Sequence, residues 1–263
     1  MPQRGVNGAT LNYEERGTGT PLVLLHGFPL DSRIWREQIA GLSDRFRVIA
    51  PDLRGFGQSK SNDSFSMESL ADDVHALLAD LQALPCILGG LSMGGYVALA
   101  YAKKYPNDLR GVALIDTKAE GDTAEGKAGR EKMIELARTQ GTKAVADQMM
   151  PKMLAPDADQ SRPQVKRELD QIMNAQTPLT IEHALAAMRD RPDLVASLAS
   201  IAVPTLVIVG EHDAITPPAG AEKMSKAIPK NTYVVIRGAG HMSPMEQPQQ
   251  VTDAVRRFVA SLA

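Results

Sequence analysis

Four short, unbroken apolar runs constrain this chain more than any other feature: Leu22-Val23-Leu24-Leu25, Val48-Ile49-Ala50, Cys86-Ile87-Leu88 and Val112-Ala113-Leu114-Ile115. A strand with one wet face alternates apolar and polar residues, so a strand with no polar side must be covered on both faces. Segments of helical period supply the cover. Met67, Leu70, Val74, Leu77, Leu78 and Leu81 recur at helical spacing, with Ser66 placed as N-cap and Phe65 placed to staple onto Leu70. Strands and helices in alternation predict an α/β fold around a parallel sheet.

The alternation breaks at about Ala119. From there to Asp190 no strand is evident, only helix-forming stretches parted by Gly141, Pro151, Pro156, Pro163 and Pro178. Then it returns. Thr205 to Gly210 and Thr232 to Ile236 are strands, and Val251, Ala254, Val255, Phe258 and Val259 mark a closing amphipathic helix that starts near Pro248. The expected organisation is a core in two parts, 1–118 and 191–263, interrupted by a helical insertion over 119–190.

The charge balance removes several classes of function. A formal net charge of −2, with no basic patch interleaved with aromatics, gives no reason to expect nucleic acid or an anionic membrane as partner. The longest apolar runs are strand-sized, and the first residues lack the apolar core of a secretory signal. Cys86 is the single cysteine and sits in a buried run, where it is expected to be a small hydrophobe. These features suit a cytoplasmic protein. Oligomeric state is not readable from them.

The sharpest local signal is Gly90-Leu91-Ser92-Met93-Gly94, between the strand ending near Leu88 and the apolar helix Tyr96 to Ala102. A serine on such a tight turn is held in a strained conformation that exposes its hydroxyl, and small residues are needed two before and two after it. A serine also needs a base. Of the five histidines, His75 and His183 fall on helical stretches, His26 ends a central strand and His212 belongs to a loop. His241 follows the last strand in the glycine-rich Gly238-Ala239-Gly240-His241, and is the candidate base. An acid must orient it. Asp213, on the exit loop of the strand Leu206 to Val209, is preferred over Asp116, which follows Val112 to Ile115 on the same edge. The chain order Ser, Asp, His suits the arrangement. Two backbone N–H groups, of Met93 and of Phe28 in His26-Gly27-Phe28-Pro29, are placed to hold an oxyanion, since Pro29 has no N–H to offer.

Together His26-Gly27-Phe28-Pro29, Pro51-Asp52-Leu53-Arg54-Gly55-Phe56-Gly57-Gln58-Ser59, the serine turn, Gly210-Glu211-His212-Asp213 and Gly240-His241 resemble the α/β-hydrolase superfamily over nearly the whole core. The resemblance implies a mostly parallel eight-stranded sheet, helices on both faces and a helical cap inserted after the sixth strand. Within the superfamily the chain looks closest to the branch of 3-oxoadipate enol-lactonases, carboxylesterases and perhydrolases. Haloalkane dehalogenases and epoxide hydrolases use an aspartate nucleophile, against which Ser92 argues; carbon–carbon bond hydrolases keep the same triad. The activity implied is hydrolysis of a small-molecule ester or lactone through an acyl-enzyme, with no metal or other cofactor.

Two features bear on substrate. Met133, Met149, Met150, Met153, Met173 and Met188 crowd the insertion, where they either line a pocket or, more simply, pack the insertion onto the core. The single tryptophan, Trp35, lines a pocket or anchors its helix. An acidic lactone would call for a cation, and Arg54, Arg130, Arg138 and Arg189 are available. The readings that remain are an esterase, a lactone hydrolase of aromatic catabolism, and a ligand-binding protein on a hydrolase scaffold.

Overall fold

The computed structural model describes residues 1–262. Its strands are β1 (Gln3–Val6), β2 (Ala9–Arg16), β3 (Thr20–Leu25), β4 (Phe46–Pro51), β5 (Cys86–Leu91), β6 (Leu109–Ile115), β7 (Thr205–Gly210) and β8 (Asn231–Ile236). They form one sheet in the order β1-β2-β4-β3-β5-β6-β7-β8, antiparallel at β1/β2 and β2/β4 and parallel elsewhere. The helices are α1 (Arg36–Leu42), α2 (Met67–Asp80), α3 (Met93–Lys104), α4 (Ala124–Met153), α5 (Ala158–Ser161), α6 (Pro163–Asn174), α7 (Pro178–Asp190), α8 (Pro218–Lys226), α9 (Ser243–Glu246) and α10 (Pro248–Ala260).

The apolar runs occupy the buried centre because their alternate residues serve opposite faces. Val23 and Leu25 of β3, with Leu88, Leu114 and Val207, join a cluster that takes in Leu70, Val74 and Leu77 of α2, Val97 of α3 and Met224 of α8. Leu22 and Leu24, with Ile87, Ile115 and Ile208, join a second cluster closed by Ile39 of α1 and Val255 and Phe258 of α10. A polar residue on either side of these strands would lie in a core. Ser66 caps α2 as expected: its hydroxyl accepts the Ser69 N–H, and the Ser69 hydroxyl accepts the Ser66 N–H.

Between β6 and β7 the chain is helical. Gly141, with φ at 79°, breaks α4 into two arms, while Pro163 and Pro178 open α6 and α7, where a missing N–H is harmless. Pro151 lies inside the last turns of α4 rather than ending it. The insertion packs on both clusters, through Ile134 and Val145 of α4 and Leu185 of α7 on one, and Met153 of α4 with Leu169 and Met173 of α6 on the other.

The order of strands fixes where a site belongs. From β3 the chain runs outward to β4, then crosses back to place β5 on the other side of β3. The loops leaving the carboxyl ends of β3 and β5 therefore diverge, and the crevice between them is where open α/β sheets bind ligands. Residues 26–29 leave β3, and Ser92 leaves β5.

Candidate active site

Ser92 sits at φ 52°, ψ −112°, a left-handed conformation costly for a side chain with a Cβ. Its surroundings impose it. Ser92 N–H donates to the Ile115 carbonyl (2.9 Å), and the Ser92 carbonyl accepts the Thr117 hydroxyl (2.7 Å) as well as the N–H groups of Gly95 and Tyr96. A Cβ on Gly90 would lie 2.1 Å from the Gly94 carbonyl oxygen, and one on Gly94 would lie 2.4 Å from that of Leu25. The glycines flanking the serine are thus required by backbone, which cannot swing aside. Ser92 remains partly exposed, whereas its neighbours Leu91 and Met93 are buried.

The loop after β3 lies against this turn. A Cβ at Gly27 would stand 3.2 Å from Ser92 Cβ. His26 locks the loop from behind: its Nδ1 faces the Gly27 carbonyl at 2.9 Å and its Nε2 accepts the Leu53 N–H at 3.0 Å. Burial lowers its pKa below the usual histidine range, which keeps the ring neutral and the two roles distinct. Among the described residues, neither the Phe28 N–H nor the Met93 N–H donates a hydrogen bond. Two bare amides beside a serine are an unmet demand for an acceptor.

His241 and Asp213 meet at the ends of β8 and β7. His241 Nδ1 is 2.8 Å from Asp213 Oδ2, with both side chains buried. Asp213 is held by three further donors: the N–H groups of Ile215 (2.8 Å) and Thr216 (2.9 Å) on Oδ1, and the Thr216 hydroxyl on Oδ2 (2.6 Å). Burial would raise its pKa, but the His241 charge and these hydrogen bonds prevail and lower it. For His241, burial would lower the pKa; the Asp213 charge and hydrogen bond outweigh it and raise it.

Asp116 faces elsewhere. Its Oδ1 accepts the Gly210 N–H (2.8 Å), and its Oδ2 accepts the hydroxyl (2.5 Å) and the N–H (3.3 Å) of Ser243. Burial, and then the nearby Asp213 charge, push its pKa up to about 8. It braces the loop that carries Asp213 and the loop that carries His241, and touches neither side chain by hydrogen bond. Since Ser92 N–H bonds the residue just before it, Asp116 also ties both loops to the serine turn. Among the described residues no hydrogen bond joins Ser92 to His241; such contacts commonly tighten only when substrate is seated.

The family can now be read from comparison with known proteins. A family model described as alpha/beta hydrolase fold matches residues 20–248. The chain belongs to the alpha/beta hydrolase family. AB hydrolase superfamily protein YisY of Bacillus subtilis is 32% identical over 262 residues, covering 95% of each chain. A thermophilic esterase from Thermogutta terrifontis, solved with malate bound, superposes with a TM-score of 0.95 at 41% identity, over 99% of this chain and 97% of the other. The enol-lactonase from Burkholderia xenovorans LB400 gives a TM-score of 0.91 at 30% identity, over 98% and 100%.

The remaining candidates of this hydrolase fall into place around that frame. His75 and His183 lie on α2 and α7, and His212 is exposed. Cys86 is buried, and burial pushes its thiol pKa up to about 12, leaving it inert. Trp35 is fully buried in the cluster beneath α1 and α10. Met153, Met173 and Met188 are buried, and Met133, Met149 and Met150 rest against the clusters. All four arginines are engaged by carboxylates: Arg54 by Asp73, Arg130 by Asp122, Arg138 by Glu182, and Arg189 by Glu131 and Asp190. No group of three or more His, Cys, Asp or Glu among the described residues is placed to hold a metal ion, and no described helix is long and apolar enough to cross a membrane. Sequence reasoning passed over Thr216, Ser243 and Glu246. Only Thr216 carried a signal, an Asp-x-x-Thr turn running into Pro217-Pro218.

Proposed function

We propose that this alpha/beta hydrolase is a carboxylic-ester hydrolase that works through an acyl-enzyme, with Ser92 as nucleophile, His241 as base and Asp213 as its orienting acid. The observation that carries the reading is the pairing of a strained, partly exposed serine with two unbonded N–H groups, of Phe28 and Met93. His241 accepts the Ser92 proton as the oxygen attacks the ester carbonyl, and the two amides hold the oxyanion as charge develops. The leaving alcohol takes that proton from His241. Water, deprotonated by the same ring, then attacks the acyl-enzyme and frees the acid. Residues 119–190 serve as the cap: its helices pack on both core clusters, and the end of α4 meets the loop after β8, where the Met242 N–H donates to the Met153 carbonyl.

The similarity to an enol-lactonase supports a second reading, a lactone hydrolase. The engagement of Arg54, Arg130, Arg138 and Arg189 by carboxylates favours a neutral ester over an acidic lactone. The test is a side-by-side panel of short esters, long esters and enol-lactones, with active sites counted by a fluorophosphonate. Ser92→Ala should abolish turnover and labelling while keeping the fold, leaving only the ~10³–10⁴-fold advantage over water that binding and oxyanion donors supply. Wild-type turnover by folded Ser92→Ala sinks both hydrolytic readings. Labelling of Ser92 without turnover of any member of the panel would favour a binding protein.

A further inference from the structure

The loop that carries His241 is gripped on two sides. On one side, the His212 N–H donates to the Ala239 carbonyl (2.8 Å), and a Cβ on Gly210 would fall 1.9 Å from the Gly240 carbonyl oxygen. On the other side stands the corner where α4 ends. The Met242 N–H donates to the Met153 carbonyl (3.1 Å), and a Cβ on Gly240 would lie 2.5 Å from both Ala155 N and Leu154 C. The glycine before the base is therefore pressed against the helical segment.

One side chain spans that contact. Glu246, with no exposed side-chain surface, accepts the Gly240 N–H on Oε1 and the Ala155 N–H on Oε2, each at 2.8 Å. Both oxygens act as acceptors of N–H groups that cannot be turned round, an arrangement that suits the ionised form; burial nonetheless raises the carboxyl pKa above its ordinary value, against the pull of those N–H groups and of Arg162. Arg162, from the turn before α6, donates to the Glu246 carbonyl oxygen (3.3 Å) and stands 4.0 Å from Oε2. A buried carboxylate is expensive unless its partners are fixed, and here the partners are the backbone of Ala155, ninety-one positions before Glu246, and of Gly240, six before it, on either side of β7 and β8.

We propose that Glu246 is a positioning residue that joins the end of α4 to the glycine before His241, so that the seating of the helical segment sets where the base stands. The proposal rests on His241 being the base. Substrate held under the helices bears on the Met153–Ala155 corner; through Glu246 the same corner holds Gly240, and the imidazole follows its backbone. Specificity in the helical segment and proton transfer at the sheet edge are then mechanically one system.

Two variants test it, with rates expressed per serine titrated by fluorophosphonate so that lost folded protein does not count. In Glu246→Gln the amide can accept only one of the two N–H groups and sets its own NH₂ against the other. The expected kcat falls about 10–100-fold, the loss usual for a group that orients a catalytic one, with KM within about threefold. The negative groups facing His241 are Asp213 and Glu246, with Arg162 beside the latter; Asp116 also faces it but, with a pKa of about 8, holds a proton over the acid limb. Removing one of them disfavours the imidazolium, so the acid limb of kcat/KM moves to lower pH. Ala155→Pro deletes the second donor and leaves the carboxylate; Leu154 is already extended, as a residue before proline must be. It lowers kcat with the acid limb unmoved, and it decides the matter should Glu246→Gln fail to fold. Wild-type kcat in either variant, or a loss confined to KM, overturns the proposal. Ser92→Ala run in parallel separates the failures: if it is inactive, the catalytic reading stands whatever Glu246 does, and if it is active, the reading falls and takes the proposal with it.

Discussion

An imidazole can take a proton from a hydroxyl only through a bare ring nitrogen, and at His241 the bare one is Nε2. Asp213 is ionised and already accepts three other donors, so the nitrogen facing it at 2.8 Å carries the proton. Asp213→Asn would present an amide in its place and favour the wrong tautomer. A comparable exchange in serine proteases costs about 10⁴-fold in kcat, and a loss on the order of 10²–10⁴-fold is expected here. Asp116→Asn should cost about tenfold or less, because Asp116 braces two loops without contacting the ring. Assay of both folded variants on one activated ester decides between them; a crippled Asp116→Asn beside a mild Asp213→Asn would move the acid to the loop after β6. The Asp213 carboxylate also fixes the pH response. With the His241 pKa raised by Asp213, activity should fall as pH drops through a value above the ordinary histidine range. An acid limb that survives in the residual activity of His241→Ala would assign the base elsewhere.

At the level of elements, what could be read in advance was whatever is buried on both sides. The runs in β3, β4, β5 and β6 announced themselves because nothing polar can sit in either cluster, and the serine turn did so because glycine is forced at 90 and 94. The hairpin of β1 and β2 did not, since β1 is almost wholly exposed and β2 ends in Glu14, Glu15 and Arg16, and its one strong mark is the Asn7-Gly8 turn, both residues at positive φ. Nor did the continuity of α4 past Pro151, which packing on the core overrides. The glycines give a test of how rigid these junctions are. A methyl group at Gly94 meets only backbone, 2.4 Å from Leu25 O and 2.7 Å from His26 O, and must push the loop after β3 away from the serine. Gly94→Ala should lower stability by about 1–3 kcal/mol, and kcat with it as the Phe28 N–H moves. At Gly220, in α8, an added Cβ meets nothing within 4 Å, so Gly220→Ala should raise stability by up to about 1 kcal/mol. Thermal melts and ester turnover of the two variants check both; an unperturbed Gly94→Ala would mean that the loop yields freely.

Across the whole molecule, what the sequence hid are contacts between distant segments, and these also set how stability depends on pH. Nothing in the spacing of residues 116, 210 and 243 shows that the first carboxyl would be enclosed by the other two, 94 and 127 positions away. Enclosure gives Asp116 a folded pKa of about 8 against an ordinary carboxyl value in the unfolded chain. Between those values the folded state holds a proton that the unfolded state has lost, so stability falls as pH rises through the window. His241, raised above its ordinary value, acts in the same direction over a window that starts near the usual histidine pKa; Asp213, lowered, acts in the opposite direction and only under acid conditions. From pH 6 to pH 8 Asp116 alone should therefore remove about 2–3 kcal/mol, at roughly 1.4 kcal/mol per pH unit. In a chain of this length that is a fall in Tm of about 5 °C or more. Asparagine resembles the protonated carboxyl in carrying no charge: its oxygen can accept the Gly210 N–H and its NH₂ can donate to the Ser243 hydroxyl, at the cost of facing the Ser243 N–H, whose bond to Oδ2 is long at 3.3 Å. In Asp116→Asn most of the fall should vanish, leaving the share due to His241, and at pH 8 the variant should melt above the wild type. Melts of both proteins at pH 6, 7 and 8 in one buffer system measure the difference of slopes. Equal slopes would mean that Asp116 titrates outside this range, and that the negative charge between the two loops is present throughout.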